Sequence, residues 1–182
     1  MLYFTSDLHL GHWRIANYCH RPFRSLKHMD TVLIDNINSR VKENDTLFHL
    51  GDFCFSKSSE AVEAPRKAFD YYRSQLNCKN IIFVLGNHDH HNHIKSWILS
   101  CQIKHGGKFI NMCHNPENAN PIYELNLHGH IHEKGKIQEK MIGVSTTTLV
   151  NVGVDVWNFR PITYSEIISA VIKYKKDLTS ST

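Results

Sequence analysis

Asn80-Ile81-Ile82-Phe83-Val84-Leu85-Gly86-Asn87-His88-Asp89 is an apolar run that stops at a glycine and opens into polar, chemically capable side chains. Ile81 to Leu85 is short, bounded and rich in β-branched and aromatic residues, the pattern of a strand buried on both faces. A glycine at its end permits a sharp turn or a close backbone approach. Outward from this stretch the same device recurs. Toward the N-terminus, Thr46–Leu50 ends at Gly51-Asp52, and Leu2–Ser6 runs into Asp7-Leu8-His9. Toward the C-terminus, Lys108–Cys113 meets His114, and Tyr123–Leu127 ends at His128-Gly129-His130-Ile131-His132.

Between these strands the spacing turns helical. Met29, Val32, Leu33, Ile37 and Val41 predict an amphipathic helix over about 28–41. Helical patterns follow near 58–76, where Pro65 implies a break or late start, and over Ile94–Ser100. Residues 147–154 alternate as a strand, and Ser165–Lys176 closes the chain as a helix with Ser165 as its N-cap. Strands alternating with helices make an α/β fold, read as a single domain over 1–182.

The composition is that of a globular protein, with 41% apolar and 21% charged residues. No apolar run approaches the roughly 20 residues of a membrane span. The first residues lack the basic flank and long apolar core of a signal peptide. Five cysteines without a Cys-x-x-Cys pair suit reduced thiols, so the expected location is the cytoplasm. A net charge of +4 is compatible with an anionic substrate and weak as a sign of one. The sequence contains no Gly-x-Ser-x-Gly elbow, no Gly-Lys-Ser/Thr phosphate loop and no His-Glu-x-x-His helix.

In open α/β sheets, ligands gather beyond the carboxyl ends of the strands. Asp7, His9, Asp52, Asn87, His114, His130 and His132 all stand at such ends, and their O and N donors without thiolate suit Mn, Fe, Zn or Ni. Seven donors are too many for one ion and suit two divalent ions about 3.5–4 Å apart, sharing a carboxylate and a hydroxide. Asp7-x-His9 and His130-x-His132 place two donors on one side if strand alternation continues through them. His88, outside the ligand set, is free to protonate a leaving oxygen, with Asp89 to orient it. His12 and Arg21, in the loop after the first strand, either touch the substrate phosphate or are ordinary solvated or capping residues. His90, His91 and His93 read as exposed or supporting, and His49 and His128 as satisfied structural histidines or partners of ligands. Asn151-Val152-Gly153-Val154-Asp155 reads as a strand supporting the site, with a polar contact from Asn151 or Asp155 left open.

Asp7-x-His9, Gly51-Asp52, Gly86-Asn87-His88-Asp89, His114 and Gly129-His130-x-His132, in this order, resemble the motif set of calcineurin-like metallophosphoesterases. The resemblance spans residues 5 to about 155. It implies a four-layer α/β/β/α sandwich of two mixed sheets with a dinuclear site at one edge. It also implies one ion on Asp7, His9 and His132, a second on Asn87, His114 and His130, Asp52 between them, and His88 as general acid with Asp89 as its partner. Protein Ser/Thr phosphatases and dinucleoside tetraphosphatases of that family continue Gly-Asp into Asp-Arg-Gly. Here Gly51-Asp52 continues as Phe53-Cys54-Phe55-Ser56, which speaks against those substrates. The expected activity is hydrolysis of phosphodiesters in nucleotides or nucleic acids. A phosphomonoesterase of small metabolites and a non-catalytic scaffold are the rivals.

Overall fold

The computed structural model describes residues 1–55 and 68–180. Its elements in chain order are β1 (Leu2–Thr5), α1 (Trp13–Tyr18), α2 (Leu26–Arg40), β2 (Thr46–Leu50), α3 (Ala68–Ser74), β3 (Asn80–Val84), β4 (Ser100–His105), β5 (Lys108–Cys113), β6 (Leu125–His128), β7 (Ile137–Ile142), β8 (Ser145–Asn151), β9 (Ile162–Thr163) and α4 (Tyr164–Ser180). They build two mixed sheets, ordered β3-β2-β1-β9 and β4-β5-β6-β8-β7. Within the first, β1, β2 and β3 are mutually parallel and β9 runs against β1. Within the second, β5, β6 and β8 are parallel, flanked by antiparallel β4 and β7. This is the expected α/β architecture of two mixed sheets.

Strand alternation divides the interior into two cores. Tyr3, Leu47 and Phe83 face one side of the first sheet and pack with Met29, Leu33 and Ile37 of α2, Ile15 of α1 and Tyr72 of α3. Phe4, Phe48 and Val84 face the other way, against Ile110, Met112, Leu125, Leu127 and Val150 of the second sheet. Ile167 of α4 joins this second core. The opposite face of the second sheet carries buried Asn111, Asn126 and Thr147, hydrogen-bonded to one another and to the segment around Asn120 and Tyr123.

Three sequence expectations change. The stretch Ile94–Ser100 is not a helix. Leu85 N–H donates to Ile98 C=O at 2.8 Å and Ser96 Oγ to Phe83 C=O, so the end of β3 draws it out as an extended flank. The helix expected near 58–76 lies partly outside the described residues, and its described part is α3. The cap of α4 is Thr163 rather than Ser165. Thr163 Oγ1 accepts from Glu166 N–H at 3.3 Å while Glu166 Oε2 accepts from Thr163 N–H at 2.8 Å, a reciprocal capping box.

One buried carboxylate couples the helical layer to the end of β1. Asp30 of α2, 8% exposed, accepts from Gly11 N–H at 3.1 and 3.2 Å and from Tyr72 O–H at 2.9 Å. Burial raises its pKa to about 6, against the pull of those hydrogen bonds. The folded state therefore holds a proton that the unfolded chain has released between about pH 4 and pH 6, and stability falls as pH rises through that window. In Asp30→Asn this slope should flatten, with a difference on the order of 2–3 kcal/mol developing between pH 4 and 7. Urea unfolding at each pH measures it; parallel wild-type and variant curves would contradict it.

Candidate metal centre

The carboxyl ends of the parallel strands in both sheets open on one edge of the sandwich. Asp7 N–H donates to Gly51 C=O and His9 N–H to Asp52 C=O, each at 3.0 Å, which ties the ends of β1 and β2 together. Across the sheets, Val154 N–H donates to Ser6 C=O at 3.1 Å and His130 N–H to both oxygens of Asp7. Asp7, His9, Asp52 and His114 are all buried there.

The donors converge in three overlapping groups. Single ligand atoms of Asp7, His9 and His132 lie within 4.8 Å of one another, as do those of Asp7, Asp52 and His114. Asn87 Oδ1 lies 2.9 Å from both His114 Nε2 and His130 Nδ1. Asp52 Oδ2 stands between the groups, 3.5 Å from His9 Nε2 and 3.4 Å from His114 Nε2. All seven side chains named from the sequence thus meet at one place.

The backbone does this in a way strand alternation did not anticipate. Asp7, His9, Asp52, His130 and His132 have φ of 58°, 51°, 58°, 72° and 51°. Left-handed backbone costs an L-residue about 1–2 kcal/mol, so five of the seven donors sit on strained turns rather than on extended strand. Each pair shares a side because both members turn, not because a pleat continues. The glycines make room for the donors. A Cβ on Gly86 would collide with Asp52 Oδ1 and lie 2.5 Å from Asp52 N, and one on Gly129 would collide with Ser6 Oγ and Asp7 Oδ2. Gly86→Ala should therefore lose about 1–3 kcal/mol of stability through overpacking and displace Asp52. Denaturant unfolding measures the loss, and a wild-type midpoint would contradict it.

The electrostatics fit a cation. Burial pushes the Asp7 pKa up, with nearby Asp52 adding to it. Burial acts upward on Asp52 as well, but His114 and His9 outweigh it and hold that carboxyl below the usual range. Burial keeps His9 well below the ordinary imidazole value, hence neutral, and its buried Nε2 has no hydrogen-bond partner among the described residues. A buried neutral imidazole nitrogen without a partner, facing two crowded carboxylates, is a donor set that a divalent cation completes.

The remaining candidates separate. His88 is exposed at the mouth, its ring centroid 5.6 Å from that of His9, and its N–H donates to Asp52 Oδ1 at 3.0 Å. Asp89 does not orient it. The Asp89 carboxylate is buried and accepts from Asp52 N–H, Phe53 N–H and Gly86 N–H at 2.9, 3.2 and 2.7 Å, clipping two strand-end turns together. His12 stacks on Phe55 with centroids 4.3 Å apart and lies 5.7 Å from the His9 ring, beside the site. Arg21 is not placed to meet a substrate: it is 5% exposed, with its guanidinium bound to Asp155 and to the carbonyls of Asp7 and Leu8.

His128 is satisfied at Nδ1 by Gly129 C=O, whereas His49, buried among Phe53 and Phe83, has no partner at either ring nitrogen among the described residues. Asp155 accepts from His132 Nδ1 at 2.9 Å, which realises the contact left open in the sequence. Burial pulls the His132 pKa down, but Asp155 outweighs it and raises the value to about 10. Cys19 also comes within 4.8 Å of donor atoms of His132 and Asp155, a neighbour that sequence spacing gave no reason to expect.

The chain is 30% identical over 179 residues to the uncharacterized protein MJ1445 of Methanocaldococcus jannaschii, covering 96% of this chain and 93% of that one. It superposes on the protein of unknown function AQ665 from Aquifex aeolicus with a TM-score of 0.68 and 23% identity, over 93% of this chain and 98% of that one. A predicted phosphoesterase from Streptococcus pneumoniae overlaps more loosely, at 16% identity and a TM-score of 0.42, over 84% and 71% of the two chains. No family model matches the sequence. The identity to MJ1445, held over nearly the whole of both chains, decides the matter. The chain belongs to the same family as MJ1445. Among the described residues it carries groups of side chains that could hold a metal ion. No helix among the described residues is long and apolar enough to cross a membrane.

Proposed function

We propose that the protein is a metal-dependent phosphohydrolase with a two-ion site, acting on phosphodiesters of nucleotides or nucleic acids. The observation that carries this reading is the position of Asp52 Oδ2, between His9 of one donor group and His114 of the other. Asp7, His9 and His132 would hold one ion, and Asn87, His114 and His130 the second, with Asp52 shared. Such a pair supplies a nucleophile at neutral pH and neutralises charge on the phosphoryl oxygens.

The chain's own groups do the rest. Asp89 clips the Gly51-Asp52 and Gly86 turns together, so the two strand ends keep their spacing. The bond from His88 N–H to Asp52 fixes the backbone that carries the His88 imidazole. That ring, at the mouth, donates a proton to the departing ester oxygen. His12 and Phe55 form a ring wall beside it, and the burial-lowered pKa of His12, about 4, leaves it an uncharged contact at neutral pH. Arg21 is committed to Asp155 and cannot meet the second negative charge of a monoester, which favours the singly charged diester.

Bis(p-nitrophenyl) phosphate and the mono ester, each with Mn²⁺, Ni²⁺ or Zn²⁺ and then with chelator, test the proposal. Expected is metal-dependent turnover, faster on the diester and lost in chelator. Absence of turnover with every metal would sink the hydrolase, and a faster monoester would sink the diester preference.

A further inference from the structure

Behind the candidate ligands lies a buried ion pair whose oxygen-directed bonds reach the first donor group, with one further contact from Arg21 Nη1 to Met29 Sδ at 3.8 Å. Arg21 Nε and Nη2 donate to Asp155 Oδ1 and Oδ2 at 2.8 and 2.9 Å, a bidentate pair with both side chains essentially inaccessible. The same guanidinium donates from Nη2 to Asp7 C=O at 2.7 Å and from Nη1 to Leu8 C=O at 3.0 Å. Those carbonyls belong to the turn in which Asp7 and His9 adopt positive φ. The second oxygen of Asp155 also faces His132 Nδ1 at 2.9 Å. Asn151 Nδ2 grips the same residue's main chain, donating to His132 C=O at 2.7 Å.

We propose, on the strength of the metal site above, that Asp155 and Arg21 are a positioning pair for one ion of the two. Asp155 receives the Nδ1–H of His132 and so presents Nε2 to Asp7 and His9. Arg21 holds Asp155 in place and pins the carbonyls of the turn that carries the other two donors. An imidazole fixed at one nitrogen by a carboxylate is more basic and better aimed at the other. A pair serving only the fold would not need to donate to the two carbonyls of a ligand turn. Asn87, His114 and His130 have no such link to the pair among the described contacts, so the effect is selective for one ion.

The test is calorimetric titration of the metal-free protein with Zn²⁺, in wild type, Asp155→Asn and the double variant Arg21→Gln/Asp155→Asn. The double variant removes both charges together, so no unpaired charge is left buried to unfold the chain. Expected are two sites in wild type, and in both variants one site weakened about 10–100-fold with the other unchanged. Equal weakening of both sites would mark a general structural role and overturn the pair's selectivity. Wild-type affinity at both sites would overturn it outright.

A second reading needs no variant. In the Zn²⁺-loaded wild type, long-range ¹H–¹⁵N correlation should find the His132 proton on Nδ1, and a proton on Nε2 would refute the arrangement. Were the wild type to bind no Zn²⁺, the metallohydrolase proposal would fall as well, and that is seen before any variant is made.

Discussion

Asp52→Asn should purify folded, carry fewer than two metal ions per chain, and lose about 10²–10³-fold in metal-dependent turnover, the scale on which one preorganised electrostatic group matters. The substitution is nearly isosteric. Its Oδ1 can still accept from His88 N–H, the bond that Asp52 makes at 3.0 Å, and Asp89 still holds the backbone N–H groups of residues 52 and 53. The change is confined to the oxygen between His9 Nε2 and His114 Nε2. An amide nitrogen there has no available lone pair for a cation and donates instead to the Nε2 of His9, which has no hydrogen-bond partner among the described residues, occupying the nitrogen an ion would use. Both donor groups lose their shared anion at once, so the deficit should appear in metal content before it appears in rate. Plasma mass spectrometry of the purified variant decides it: two ions per chain would remove Asp52 from the shared position.

The parts of this site that could be read from the sequence are those where chemistry changes abruptly along the chain. An apolar run followed by glycine and a donor announces itself at 50–52 and at 85–87 because a buried parallel strand is predominantly apolar until it ends, His49 being the polar exception within β2. The edge strands β4 and β7 passed unnoticed for the opposite reason. Gln102 and Lys104, and Glu139 and Lys140, interrupt their apolar pattern because edge strands meet water and discourage further pairing. The left-handed turns at Asp7, His9, His130 and His132 were invisible, since aspartate and histidine tolerate that backbone without requiring it. Arg21 and Asp155 lie 134 residues apart, and no local pattern joins them. Their pairing follows from the fold, which brings the loop between α1 and α2 against the turn after β8. Asp89 illustrates a subtler limit. Its adjacency to His88 suggested a side-chain partnership, yet in the tight turn at 89–92 its carboxylate points back to three main-chain N–H groups instead.

His88→Ala should keep its full complement of metal and lose about 10²–10⁴-fold in rate on esters with poor leaving groups. Its imidazole is exposed at the mouth, and none of the groups that draw the donors together is its side chain. What it gives the site structurally is a main-chain N–H to Asp52, which alanine also has. Losing the ring therefore removes a proton donor and leaves the donor cluster standing. The loss should depend on the substrate. A p-nitrophenolate departs without protonation, so bis(p-nitrophenyl) phosphate should slow far less than a dinucleotide whose leaving group is an alkoxide. With Asp89 committed to the main chain, Asp89→Asn should not reproduce this leaving-group dependence; it should loosen both strand-end turns and cost metal and stability together. The two variants side by side therefore separate proton transfer from scaffolding. Equal slowing of activated and unactivated esters by His88→Ala would deny the imidazole its role as acid.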